Sequence, residues 1–194
     1  LRILGITGKY CAGKDAVTKL LVDAGYAEID VDRIGHETLS ERREEIISAF
    51  GRRVARENGT VDRAALGRIV FADRTALALL ERIVHPVMVL AVIERIEELR
   101  AVRPELPGVA INAAVMFRMG LDASCDTVLY VHAPLCLRLR RARRRDSVSI
   151  LAAIRRLRSQ QDVDPQFSTS DAEICSVRND GTAEHLRKQL QTFL

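Results

Sequence analysis

Residues 8–15 read Gly-Lys-Tyr-Cys-Ala-Gly-Lys-Asp, set between an apolar run, RILGI at 2–6, and a helical pattern carrying Leu20, Leu21 and Ala24. No other stretch restricts the fold as much. Gly8 and Gly13 let successive backbone N–H groups turn inward around phosphate oxygens. A helix starting just after Gly13 brings the positive end of its dipole to the same place. Lys14 then reaches the β- and γ-phosphates of a bound nucleotide. A Gly-x4-Gly-Lys string also occurs by chance, and the strand before it and helix after it are what give it meaning as a P-loop. The residues expected to bind ATP are therefore Gly8, Lys9, Tyr10, Cys11, Ala12, Gly13, Lys14 and Asp15. Cys11 reads as a small space-filler rather than a reactive thiol.

Asp15 stands where a P-loop normally has Ser or Thr, whose hydroxyl ligates Mg²⁺. Three readings are open. Asp15 ligates Mg²⁺ itself, since carboxylates are good hard ligands; or it is only a favourable acid in a helix's first turn; or it marks weakened nucleotide binding. The first is favoured, making Asp15 the candidate metal ligand.

Gly25 ends the first helix, and YAEID at 26–30 reads as a second strand, so the opening unit is βαβ. VAINAAV at 109–115 and TVLYVHA at 127–133 are near-continuous apolar runs, the pattern of parallel strands covered on both faces. AEICSV at 172–177 is a last strand and 183–193 a closing helix. Between the second and third strands, about 33–101 reads as a helical insertion, with turns at Gly51 and Asn58-Gly59 and a break expected at His85-Pro86. The fold class predicted is α/β: a three-layer, P-loop NTPase-like fold around a five-stranded parallel sheet, one domain over 1–194, with a helical lid at about 135–161.

The chain has 194 residues, 47% of them hydrophobic, enough for one core. No apolar stretch reads as long enough to span a bilayer and no signal peptide is expected, which predicts a cytoplasmic protein. Cys11, Cys125, Cys136 and Cys175 are far apart, without a CxxC pair, so neither a zinc site nor a disulfide framework is expected. The net charge of +4 conceals a local excess, because residues 138–158 hold nine arginines against one acid, Asp146. Such a cluster implies an anionic partner.

Asp30 and Asp32, in IDVD at 29–32, fall at the carboxyl end of the second strand, the edge where open parallel sheets bind ligands. Asp32 is the candidate base that accepts a hydrogen bond from an acceptor hydroxyl and aligns it with the γ-phosphate. The competing reading makes it an N-cap for a helix beginning at Arg33.

Taken in order, the P-loop, IDVDRIG, LGRIVFAD at 66–73, IVHP at 83–86, FRMGLD at 117–122, RRRD at 143–146 and RND at 178–180 resemble the dephospho-coenzyme A kinase family across nearly the whole chain. The resemblance implies transfer of the ATP γ-phosphate, with Mg²⁺, to the ribose 3′-hydroxyl of dephospho-CoA. It places catalytic roles on Asp32, Lys14, Arg141 and Arg145, nucleotide contact on Asn179, and acceptor contact on Asp32, Arg63 and His85. Arg156, Gln160 and Gly181 answer to later parts of the same pattern. Two departures lie near the chemistry. Asp15 replaces the loop hydroxyl, and NAAVMFR puts Asn112, Ala114 and Arg118 where the family has an acid, a proline and a glutamate.

Six of the eight positions 138–145 are arginine, and Leu135, Leu139 and Ala142 offer a thin apolar seam. Arg141 and Arg145 are expected to clamp phosphates. Three other readings remain. One is a different P-loop kinase acting on a nucleotide or other small molecule; another is a degenerate member of the family. The third is a nucleic-acid-binding protein using the 138–158 segment, against which stand the absence of Trp and of any recognised nucleic-acid motif. No membrane and no nucleic-acid partner is expected.

Overall fold

The computed structural model describes residues 1–146 and 170–194. The described residues form two compact units, Leu1–Asp30 with Arg95–Leu194, and Val31–Glu94.

The first unit is built on a five-stranded sheet of order β2-β3-β1-β4-β5, from β1 (Arg2–Gly8), β2 (Ala27–Asp30), β3 (Gly108–Asn112), β4 (Thr127–His132) and β5 (Glu173–Arg178). Every pairing is parallel. In β1 every residue from Ile3 to Gly8 is buried, as are Gly108–Ile111 of β3 and Thr127–Val131 of β4. That is why these strands read as unbroken apolar runs instead of alternating ones. The third strand ends at Asn112, short of the expected residue 115, and α6 (Met116–Met119) follows.

Helix α1 (Lys14–Asp23) returns the chain from β1 to β2. Val17 and Leu21 on its inner face join Leu4, Ile6, Ala110, Leu129 and Val131 in the core, together with Leu186 and Leu190. Leu186 belongs to the closing helix α8 (Ala183–Gln189). Gly25 stops α1 as expected. At φ 98° it donates to Val22 O at 2.9 Å while Tyr26 N–H reaches Leu21 O at 3.0 Å, the paired bonds of a Schellman terminus.

The second unit is helical: α2 (Val31–Glu41), α3 (Arg43–Phe50), a short turn at Arg52–Val54, α4 (Arg63–Val70) and the first part of α5 (Arg74–Val102). Asp62 caps α4, its Oδ1 accepting from Ala64 N at 2.9 Å and Ala65 N at 3.0 Å. Helix α2 begins at Val31, directly after β2, so Asp32 lies in its first turn rather than capping a helix that starts at Arg33.

The break expected at His85-Pro86 is absent, and α5 runs unbroken through Pro86 for 29 residues. Pro86 has no N–H to give to the carbonyl of Arg82. That loss costs about 3 kcal/mol in a helix interior. Val84, Met88, Val92, Ile96 and Leu99, all buried, continue one apolar stripe on both sides of it, and burying such side chains gains about 1.5–3 kcal/mol each. Because it is continuous, α5 is also long and apolar enough to cross a membrane by length and composition. Breaking the helix at proline had hidden that length.

Candidate active site

The loop between β1 and α1 is shaped by three residues with positive φ: Gly8 at 153°, Cys11 at 57° and Gly13 at 96°. Tight turns of this kind can gather backbone N–H groups into a concave nest. Glycine is required at two of the three. A Cβ on Gly8 would stand 2.1 Å from Val131 O, and one on Gly13 would stand 2.1 Å from Asn179 Nδ2. Gly13 is also the N-cap of α1 and, lacking a side chain, leaves the first N–H groups of the helix open to an anion.

The carbonyls of the loop are held on its far side. Arg138 Nε donates to Tyr10 O at 2.9 Å. Arg141 Nη1 donates to Ala12 O at 2.9 Å and Cys11 O at 3.5 Å. Asn179 Nδ2 donates to Ala12 O at 2.9 Å and Gly13 O at 3.3 Å. In a trans peptide the N–H points opposite to the C=O. Fixing the carbonyls of Tyr10, Ala12 and Gly13 therefore turns the N–H groups of Cys11, Gly13 and Lys14 toward the concave side. The N–H of Ala12 is used inside the loop, on Lys9 O at 2.9 Å.

These donors come from two distant segments. Asn179 follows β5, is buried, and is anchored through its own N–H to His132 O at 2.8 Å. Arg138 and Arg141 lie three residues apart on α7 (Leu135–Asp146), hence on one face. That face is the inner one: Arg138 and Ala142 are buried, while Arg140, Arg143 and Arg144 are exposed. Of the apolar seam expected along Leu135, Leu139 and Ala142, Ala142 is buried and Leu139 partly so, but Leu135 is 58% exposed. Loop carbonyls deprived of water need donors more than they need aliphatic carbon. Arg141, expected over the phosphates, lies along the back of the loop, where Nη2 also donates to Asn179 O at 2.9 Å. The side chain of Arg145, the rest of the expected lid from 147 to 161, and with it Arg156 and Gln160, lie outside the described residues. Arg138 was missed by sequence reasoning, because arginine at six of the eight positions 138–145 marks out no single inner face.

Lys14 and Asp15 open α1. Asp15 Oδ1 accepts from Asn112 Nδ2 at 3.5 Å, so the two departures from the family pattern adjoin one another. Sequence reading noted both and paired neither.

In the helical unit, a pocket of about 610 Å³ is lined by Arg43, Arg56 and Arg63 with Asn58, Thr60 and Leu39 among others, and by no carboxylate. Arg63 Nη2 also donates to His36 O at 3.2 Å. His85, half-buried, sits inside α5 and does not line that pocket.

The family model for dephospho-CoA kinase matches residues 2–184. The chain belongs to the dephospho-CoA kinase family. It is 42% identical over 161 residues to a dephospho-CoA kinase of Moorella thermoacetica, covering 81% of this chain and 76% of that one. Over 197 residues it is 30% identical to one of Carboxydothermus hydrogenoformans, covering 100% and 93%. Dephospho-CoA kinase from Campylobacter jejuni, a solved structure, matches with a TM-score of 0.67 at 25% identity, covering 98% of this chain and 94% of that one. Family and sheet agree on a P-loop kinase fold.

Proposed function

We propose that this chain transfers the γ-phosphate of ATP to the ribose 3′-hydroxyl of dephospho-CoA, giving CoA and ADP, as a cytoplasmic enzyme. The observation that carries the reading is the phosphate loop with its carbonyls tied back by Arg138, Arg141 and Asn179, in a chain whose residues 2–184 match the family.

Phosphoryl transfer asks the protein mainly for positioning and charge neutralisation. The N–H groups of Cys11, Gly13 and Lys14 and the open end of α1 take the β- and γ-phosphates, and the Lys14 ammonium follows the charge onto the leaving oxygen. Asp32 accepts the hydrogen bond of the acceptor hydroxyl and points its oxygen at phosphorus. Arg63, with Arg43 and Arg56, offers guanidinium forks to the acceptor's diphosphate, and His85 belongs to the same acceptor-binding unit. Arg141 fixes the loop and adds positive charge beside it, and the family resemblance gives Arg145 a phosphate-clamping role as well.

Mg²⁺, when bound with the nucleotide, neutralises the β- and γ-oxygens. The donor set suits it: Asp15 and Asn112 carry hard oxygen atoms beside Lys14. Among the described residues no cluster of three or more His, Cys, Asp or Glu forms an all-protein cage. Mg²⁺ bound through one or two side chains plus substrate phosphates needs none.

The test is ADP release from Mg·ATP with dephospho-CoA against a panel of nucleoside monophosphates, with product mass recorded. Turnover confined to dephospho-CoA supports the reading. ATP binding without phosphorylation of any acceptor refutes it.

A further inference from the structure

Asn112 ends β3 and Asp15 is the second residue of α1, and the Asn112 carboxamide donates to the Asp15 carboxylate at 3.5 Å. A P-loop site ordinarily holds its divalent cation with a neutral hydroxyl next to the loop lysine and a separate Asp carboxylate. Here the arrangement is reversed. The carboxylate follows the lysine, and the neutral oxygen donor sits on the strand. One of each remains, and they touch.

The surroundings give a reason for the pairing. Asp30, on the neighbouring strand β2, is the register partner of Asn112. With Asp15 in place, a carboxylate at position 112 would lie within the same 3.5 Å of one acid and beside a second. Like charges that close oppose each other's ionisation. An amide removes the conflict and offers an N–H that orients Asp15, the kind of support that metal-binding carboxylates receive from their own hydrogen-bond partners.

We infer that the two roles have been exchanged between these positions: Asp15 supplies the carboxylate directed at the nucleotide's divalent cation, and Asn112 is the positioning residue that holds it. The inference rests on the loop taking a metal–nucleotide complex and not on which acceptor is phosphorylated.

A double-mutant cycle on the full chain tests it: wild type, Asp15→Ser, Asn112→Asp and the double variant. The readout is ADP affinity by calorimetry in Mg²⁺ and again in EDTA, and the ratio of the two is the gain due to metal. Asp15→Ser lowers that gain about tenfold, and Asp15→Ser/Asn112→Asp brings it back to within about threefold of wild type. Asn112→Asp alone weakens ADP binding in EDTA, because two adjacent carboxylates then face the phosphates. Thermal midpoints of the nucleotide-free proteins separate these effects from unfolding, and Asp15→Asn, which removes charge but little volume, repeats the loss shown by Asp15→Ser.

An unchanged gain in Asp15→Ser overturns the inference. So does a double variant no better than Asp15→Ser, or a wild-type chain whose ADP affinity ignores Mg²⁺. Acceptor turnover is a separate readout. A chain that shows the rescue but does not phosphorylate dephospho-CoA keeps this inference and loses the acceptor assignment; full turnover without rescue does the reverse.

Discussion

Arg141 and Asn179 converge on one atom, the carbonyl oxygen of Ala12, each donating to it at 2.9 Å, while Arg141 also donates to the Asn179 carbonyl at 2.9 Å. A helix and a strand end distant in sequence thus hold the same peptide of the phosphate loop. Asn179→Ala removes the donor to Ala12 and Gly13 and leaves Arg141 alone on the Ala12 carbonyl, with Arg138 still on that of Tyr10. The expected cost is about 1–3 kcal/mol of stability, with weaker ATP binding. Urea unfolding and calorimetry measure the two, and unchanged ATP affinity would contradict the role given to Asn179.

Gly13→Ala should harm nucleotide binding more than Asn179→Ala does. The new Cβ meets Asn179 Nδ2 at 2.1 Å and must adopt φ 96°. The clash has a removable partner and the backbone strain does not. Combining Gly13→Ala with Asn179→Ala should therefore recover part of the thermal midpoint but leave a residual strain of about 1–2 kcal/mol. Strictly additive losses would mean that the two positions do not conflict.

Lys14→Ala is expected to lower kcat by about 10²–10³, the usual effect of removing one preorganised charge from a developing negative centre. Asp32→Asn should lower kcat by about 10²–10⁴ while leaving ATP affinity intact. Calorimetry beside steady-state kinetics separates these outcomes. Loss of ATP binding in Asp32→Asn would place that residue at the nucleotide instead.

The N–H groups of Ala65 and then Ala64, helped by Arg56 and Arg68, hold the Asp62 carboxyl below the usual range for aspartate, against an opposing contribution from desolvation. A depressed folded-state pKa stabilises the protein above the unfolded value of about 4, and that stability is lost as pH falls through the folded value. Asp62→Asn keeps a good cap and removes the titration. Thermal midpoints followed into acid should fall less steeply for the variant, and identical slopes would exclude Asp62 as a contributor.

Burial, reinforced by Asp122 and Asp126, pushes the Cys125 thiol up to about 12. Its Sγ donates to Leu121 O at 3.3 Å. Only the thiolate is nucleophilic, so maleimide at mildly alkaline pH should label exposed Cys136 quickly and spare Cys125 until the chain unfolds. Mass-mapped labelling of native protein is the check.

Much of the site was legible because its residues are neighbours in the chain. Gly8, Gly13 and Lys14 form a local motif between a strand and a helix, and a local motif carries its geometry with it. Arg138 was not legible, since six arginines in eight positions give no periodicity from which to choose an inner face. The choice is made by the carbonyls of Tyr10 and Ala12, which belong to a segment more than a hundred residues away. Pro86 failed as a helix breaker for a related reason. Its local penalty was readable, and the buried stripe from Val84 to Leu99 that outweighs it was visible only in the packing.

Local chemistry written along the chain was enough to determine the βαβ opening, the buried parallel strands, the glycine positions of the phosphate loop and the family. Which face of α7 turns inward, and that Asp15 and Asn112 adjoin, only the tertiary structure decided. Both are contacts between residues about a hundred positions apart. Hydrogen bonds act over about 3 Å in space whatever the separation in sequence, so the pairing follows from how the strands are ordered in the sheet.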